Sequence, residues 1–305
     1  MTVSTLLFIK IAQLFVFMAF GFLLVKFSVL RSSDSLVLSK ICLFLLMPSA
    51  IINAFDVGLD ENVKKGIILA FVAAFVIHAA LFLIDIFFKK SFGAVERASI
   101  VYSNAGNMII PIVSSVLGAE WVIYTSAFLS VQLFFMWTHG VLLFSKEKFN
   151  FKKILLNINI IAIVLGVVLL VFGIRLPSFV KGITSELSGM LGAVGMIIAG
   201  MTAASMDFKK TVKNPRLYIV SAMRMIVCPA VIFVLLKLAL CFISIANAEN
   251  ILLISFLAAM APAASTVMQF AQIYGKDDEF AVGINIFTTV LSILTMPVFV
   301  ALYFM

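Results

Sequence analysis

Nine residues inside a long apolar stretch carry groups that could do chemistry: Ser103-Asn104-Ala105-Gly106-Asn107-Met108-Ile109-Ile110-Pro111. Their two carboxamides and one hydroxyl can donate to a carboxylate or accept from a cation. Asn104 and Asn107 are three apart, so an unbroken helix would put them on one face. Pro111 removes a backbone donor and clashes with the preceding turn, so a helix running through it should break. In hydrocarbon, broken main chain survives only when buried in protein or lining a polar cavity. The stretch is therefore expected to form the centre of a membrane site, with Asn104, Asn107 and Ser103 as binding candidates. The competing role for such amides is to tie helices together.

A second stretch has the same character: Ala261-Pro262-Ala263-Ala264-Ser265-Thr266, with Gln269 one turn further on. Ser265, Thr266 and Gln269 could hold a substrate, or offer neutral oxygens to a cation. Serine and threonine also bond back to their own helix. Pro111 and Pro262 are expected to mark two interrupted helices. Half-helix N-termini at such breaks present free N–H groups and a positive dipole end, which suits an anion.

The elements that position these residues are transmembrane helices. Of 305 residues, 64% are hydrophobic and 12% are charged, against about 45–50% and about 25% in soluble domains. Ten segments are long enough to cross a bilayer: about 5–25, 35–55, 66–88, 97–117, 121–144, 154–174, 180–204, 217–243, 250–273 and 281–304. None alternates polar and apolar residues as barrel strands do. The first segment holds Lys10 and lacks a basic lead-in or a small-residue cleavage motif, so it reads as a retained span and not a signal peptide. Cys42, Cys228 and Cys241 form no metal-ligand spacing and read as small buried apolar residues.

Basic residues gather in alternate loops, among them Lys89, Lys90 and Arg97, Lys146, Lys148, Lys152 and Lys153, and Lys209, Lys210, Lys213 and Arg216. The other side carries Lys64, Lys65, Arg175 and Lys181. This bias marks the cytoplasmic side and puts both termini outside the cell. The net charge of +8 is largely this topology signal and needs no nucleic-acid partner. The basic loop at 146–153 divides the chain into 1–145 and 154–305, five spans each. An odd number of spans forces the second half to enter from the opposite side, the inverted layout of many secondary transporters. A matched pair of interrupted helices is the best pointer to such a carrier's site.

At these residues the chain resembles the auxin efflux carrier family. Asn104-Ala105-Gly106 with Pro111-Ile112 is similar to the family's Asn-x-Gly…Pro-Leu pattern. Pro262-Ala263-Ala264 with Ala271-Gln272-Ile273-Tyr274-Gly275 resembles its ninth-span motif, and Thr288-Thr289-Val290-Leu291-Ser292 with Thr295-Met296-Pro297 its last span. Bacterial relatives include malate and malonate permeases; plant relatives export auxin. The resemblance implies an all-α fold like the bile acid and sodium–proton carriers, with broken spans 4 and 9 crossing. Spans 1, 2, 6 and 7 would form a scaffold that dimerises, and spans 3–5 and 8–10 a moving transport domain. Asn107 and Ile109 depart from the family pattern, which often has an aromatic and a glycine there.

Intramembrane charges are functional candidates by default. Lys10 can snorkel to the interface. Arg224 could pair with Asp85 or attract an anion, and His78 and His139 read as satisfied core or interface histidines, with a proton role as the alternative. No carboxylate falls near a midplane, which leaves Na+, H+ or membrane potential alone open as the coupling force. No cofactor is expected. The function expected is a plasma-membrane carrier of a small organic anion, such as malate, malonate or an auxin-like acid. The alternative is an anion-binding sensor that keeps a transporter fold. No H-E-x-x-H helix, aspartate pair or phosphate loop supports an enzyme or an ATP-driven pump.

Overall fold

The structure is a computed structural model and describes residues 3–56, 58, 60–145, 152 and 155–305. Lys146, Lys148 and Lys153 of the central basic loop lie outside the described residues. In chain order the helices are α1 (Val3–Lys26), α2 (Ser32–Ala54), α3 (Glu61–Phe88), α4 (Ala94–Val101), α5 (Ala105–Val116), α6 (Ala119–Phe144), α7 (Ile158–Val171), α8 (Ser178–Ala203), α9 (Phe208–Val212), α10 (Pro215–Leu240), α11 (Ala248–Met260), α12 (Ser265–Ile273) and α13 (Asp278–Tyr303). Among the described residues, seven helices are long and apolar enough to cross a membrane: α1, α2, α3, α6, α8, α10 and α13. Helices α5, α7 and α11 are apolar but shorter.

Local sequence explains where helices begin. The Asp60 carboxylate accepts from Val63 N–H, Asn157 from Asn159 N–H, Asp207 from Lys210 N–H and Asp277 from Phe280 N–H. Each satisfies an amide that the first turn leaves free. Asn214 does the same for α10, where Pro215 takes the first helical position.

Three of the prolines within spans share one consequence, while Pro297 sits inside α13 without it. Pro48, Pro111 and Pro229 each follow a widened turn, at Cys42–Leu46, Ala105–Ile109 and Met223–Val227. In each, the residue before the proline donates five residues back: Met47 to Cys42, Ile110 to Ala105 and Cys228 to Met223. The extra residue relieves the clash of the proline ring with the carbonyl four positions earlier. Pro111 therefore does not break its helix. The break lies upstream, at residues 102–104, whereas Pro262 sits within the second break, at residues 261–264.

Helix α1 lies along α8, and α2 packs on α7 and α8. Main chains come very close there, because a Cβ on Gly21 would run into Ile197 O and one on Gly200 into Met18 O. A second set, α3, α6, α10, α11 and α13, surrounds the two breaks. Helix α11 is buried from Ile251 to Met260, as an all-round apolar helix should be. Cys42 and Cys228 are buried, but Cys241 is exposed.

At one end of the bundle, Asp56 joins the first set. Lys181 Nζ bonds its Oδ2 at 2.6 Å, Leu176 N–H its Oδ1 at 3.1 Å, and Arg175 stands 3.8 Å away. Burial pushes the Asp56 carboxyl up, but these partners outweigh it and hold it below its ordinary value. A lowered folded-state value contributes stability above the unfolded-state value, near pH 4, and loses it as pH falls through the folded one. Asp56→Asn should therefore lower the unfolding temperature at pH 7 by about 2–4 °C, the equivalent of about 1 kcal/mol. The difference from wild type should shrink as the buffer is taken below about pH 4. A deficit that stays constant with pH would refute the charge interaction.

Candidate functional site

Residues 102–104 and 261–264 run antiparallel and pair as a minimal two-strand bridge, Ser103 against Ala263. Asn104 N–H donates to Pro262 O at 2.8 Å, and Ala264 N–H to Tyr102 O at 3.0 Å. Each break thus supplies partners for the other. Tyr102 is extended, with φ −99° and ψ 129°, as this pairing requires.

The groups left over are met by side chains from neighbouring helices. Gln132 of α6 clamps Ser103: its Oε1 accepts from Ser103 N–H at 3.1 Å and from Ser103 Oγ at 2.6 Å, and its Nε2 donates to Ser103 O at 2.9 Å. On the other break, Asn285 Nδ2 of α13 donates to Ala263 O at 2.5 Å, and Thr288 Oγ1 accepts from Ala263 N–H at 3.1 Å. Both clamps come from the helix that follows the broken one.

Arg224 of α10 is fully buried. Its Nη1 donates to Ile100 O at 2.9 Å, its Nε to Ala261 O at 3.0 Å, and its Nη2 to Ala261 O and Ala259 O. One guanidinium thereby caps the C-terminal ends of both α4 and α11. The expected Arg224–Asp85 pair is not formed. Asp85 instead holds Arg97 through two bonds of 2.7 and 2.6 Å, because Arg97 opens the neighbouring α4 beside the end of α3.

The N-terminal ends of α5 and α12 face a cavity of about 300 Å³. Asn107 Nδ2 donates to Ser265 Oγ at 3.2 Å across the two half-helices. Ser103, Asn104, Asn107, Ser265, Thr266 and Gln269 all line this cavity. Pro111 is not on its wall; it packs against Gly192 of α8, where an added Cβ would stand 2.7 Å from its ring. Pro262 is likewise absent from the wall, and its role is the carbonyl given to Asn104.

Sequence reasoning passed over several lining residues. Gln132, Asn157, Asn159 and Lys40 are on the wall, with Trp137 and Phe270. Asn159 Nδ2 donates to Leu43 O, a carbonyl bypassed by the widened turn before Pro48. Gln132 did carry a signal: a lone amide in an apolar span is costly unless it has a job. Among the described residues on the wall there is a cation, Lys40, and no carboxylate. No cluster of three potential metal-ligating side chains occurs among the described residues.

Two substitutions test this frame. Gln132→Leu leaves the Ser103 amide and carbonyl without their clamp, at about 1–3 kcal/mol each. Hydrogen exchange at Ser103 should accelerate at least about tenfold; unchanged protection would refute the clamp. Arg224→Leu strips donors from three buried carbonyls, so the unfolding temperature should fall, and Arg224→Lys should recover part of the loss. A Leu variant as stable as wild type would show that the cap contributes nothing.

Comparison with known families gives the chain its place. No curated protein matches it. The family model described as membrane transport protein matches residues 6–300, nearly the full length and including both breaks. The chain therefore belongs to this membrane transport family, the auxin efflux carrier family, and is a multi-pass membrane protein.

Proposed function

We propose that this protein is a secondary carrier for a small organic anion. The observation that carries the reading is the cavity faced by two half-helix N-termini. Each helix end holds about half an elementary charge. The C-terminal ends of α4 and α11 sum to about −1, which the single charge of Arg224 offsets. The N-terminal ends of α5 and α12 then present about +1 to the cavity, matched to one carboxylate. Asn104, Asn107, Ser265, Thr266 and Gln269 supply the hydrogen bonds that orient it.

In this reading α4–α5 and α11–α12 are spans 4 and 9 of ten, in two inverted five-helix repeats at 1–145 and 154–305, as in the bile acid and sodium–proton carriers. The matched clamps, Gln132 on the helix after the first break and Asn285 with Thr288 after the second, support that symmetry. Helices α1, α2, α7 and α8 act as a dimerising scaffold. The remainder shifts against it to expose the crossing to each side in turn. The glycine face of α8 suits such sliding: Gly192 meets Pro111, and Gly195 meets Asn107, without a side chain between them. The protein resides in the plasma membrane with both termini outside, and the cavity opens toward the basic, cytoplasmic loops.

The test is flux in proteoliposomes with labelled malate, malonate and an indole carboxylate. Uptake that saturates supports the reading; silence across a broad carboxylate panel overturns it, and binding without flux points to a sensor. Asn104→Ala removes a hydrogen bond to a charged group, about 1.5–3 kcal/mol, and should cut flux by roughly tenfold or more while the protein stays folded. Flux at the wild-type rate would move the site elsewhere.

A further inference from the structure

Three of the four widened turns precede a proline; the fourth, Met136–Gly140, does not, and it carries His139. Such turns without a steric cause recur at functional sites. His139 Nε2 lies 3.4 Å from Asp85 Oδ2, and its Nδ1 lies 2.9 Å from the Tyr102 hydroxyl. That hydroxyl is also 2.8 Å from Phe135 O. Tyr102 belongs to the first break, and its main-chain carbonyl accepts from Ala264 of the second. A chain of polar contacts, completed by the side chain of Tyr102 itself, thus runs from Asp85 and Arg97 to the crossing. The groups facing His139 are Phe82 and Asp85 from α3, Arg97 by way of Asp85 from α4, and the Tyr102 phenol. Helix α12 meets this end of α6 with Phe270 and Tyr274, in ring contact with Trp137 and Phe144.

We propose that His139 is a proton-binding site whose occupancy is relayed through Tyr102 to the crossing of the two broken helices. The path has two satisfied states. With His139 neutral, Nε2–H faces Asp85 and Nδ1 accepts the Tyr102 O–H. When a proton from water adds to the ring, both nitrogens carry hydrogen. Nδ1–H then donates to the Tyr102 oxygen, and the tyrosine O–H turns to Phe135 O. No group is left unpaired in either state, and Asp85 stands ready to balance the new charge. The histidine side chain is 28% exposed, so protons can reach it. Gly140 leaves the Tyr102 ring free to adjust, since a Cβ there would lie 3.2 Å from it. This supplies a proton site beside the crossing, whose described cavity wall has no carboxylate, and its use in coupling rests on the carrier reading above.

The relay itself is tested without flux. The chain has two histidines. His78 is fully buried with Nδ1–H on Ala74 O, and it gives the reference signal. Ring-nitrogen NMR of labelled protein in lipid nanodiscs, recorded over a pH series, should show His139 passing from one protonated ring nitrogen to two. The Ala264 amide resonance should move with the same midpoint. In Tyr102→Phe, His139 should still titrate and Ala264 should stop following it. A wild-type His139 that does not titrate, or an Ala264 amide that ignores it or still follows in Tyr102→Phe, overturns the proposal. Where flux exists, a pH gradient that leaves it unchanged overturns the coupling and spares the carrier reading. Co-titration without flux of any acid overturns the carrier reading and spares the relay.

Discussion

A backbone that leaves its helix inside a bilayer must find new partners for every amide and carbonyl, since no water is at hand. That constraint organises this molecule. Two breaks are placed against each other so that Asn104 and Ala264 donate across the gap. Gln132, Asn285 and Thr288 then satisfy Ser103 and Ala263. Helices α6 and α13 carry these side chains, and moving either would orphan polar groups at about 1–3 kcal/mol each.

The same breaks create an electrical asymmetry. Four helix ends meet in a small volume, two negative and two positive. Arg224 addresses the negative pair, and nothing of opposite charge among the described wall residues addresses the positive pair. A buried guanidinium is expensive unless paired, and here the pairing partners are dipole ends rather than a carboxylate. Arg224, expected to pair with Asp85 or attract an anion, caps two helix ends instead, and its effect is to leave the positive ends uncontested.

Between the crossing and the basic end of the bundle lies a polar thread of Tyr102, His139, Asp85 and Arg97. It leaves the cavity wall carboxylate-free while joining ionisable groups to the break. The glycines of α8 do the complementary work on the other flank, keeping the contact with Pro111 and Asn107 smooth.

Much of this was legible in residue order. Apolar length set the helices, and capping residues such as Asp60 and Asn214 set where they start, because both are local effects of hydrophobicity and first-turn amides. The polar clusters around Asn104 and Ser265 marked residues that come to line the cavity, since uncompensated amides in an apolar span need a reason to exist. Only the folded chain could decide the rest. Pro111 seemed to be the break but is absorbed by a widened turn, while residues 102–104, which hold no proline, open because a partner segment offers hydrogen bonds. Arg224 found carbonyls rather than Asp85, and Gln132 became a clamp. Those outcomes depend on which groups approach within about 3 Å across separate helices, and residues 124 or 158 positions apart, as Arg224 and Ile100 or Asn107 and Ser265 are, have no local signal that brings them together.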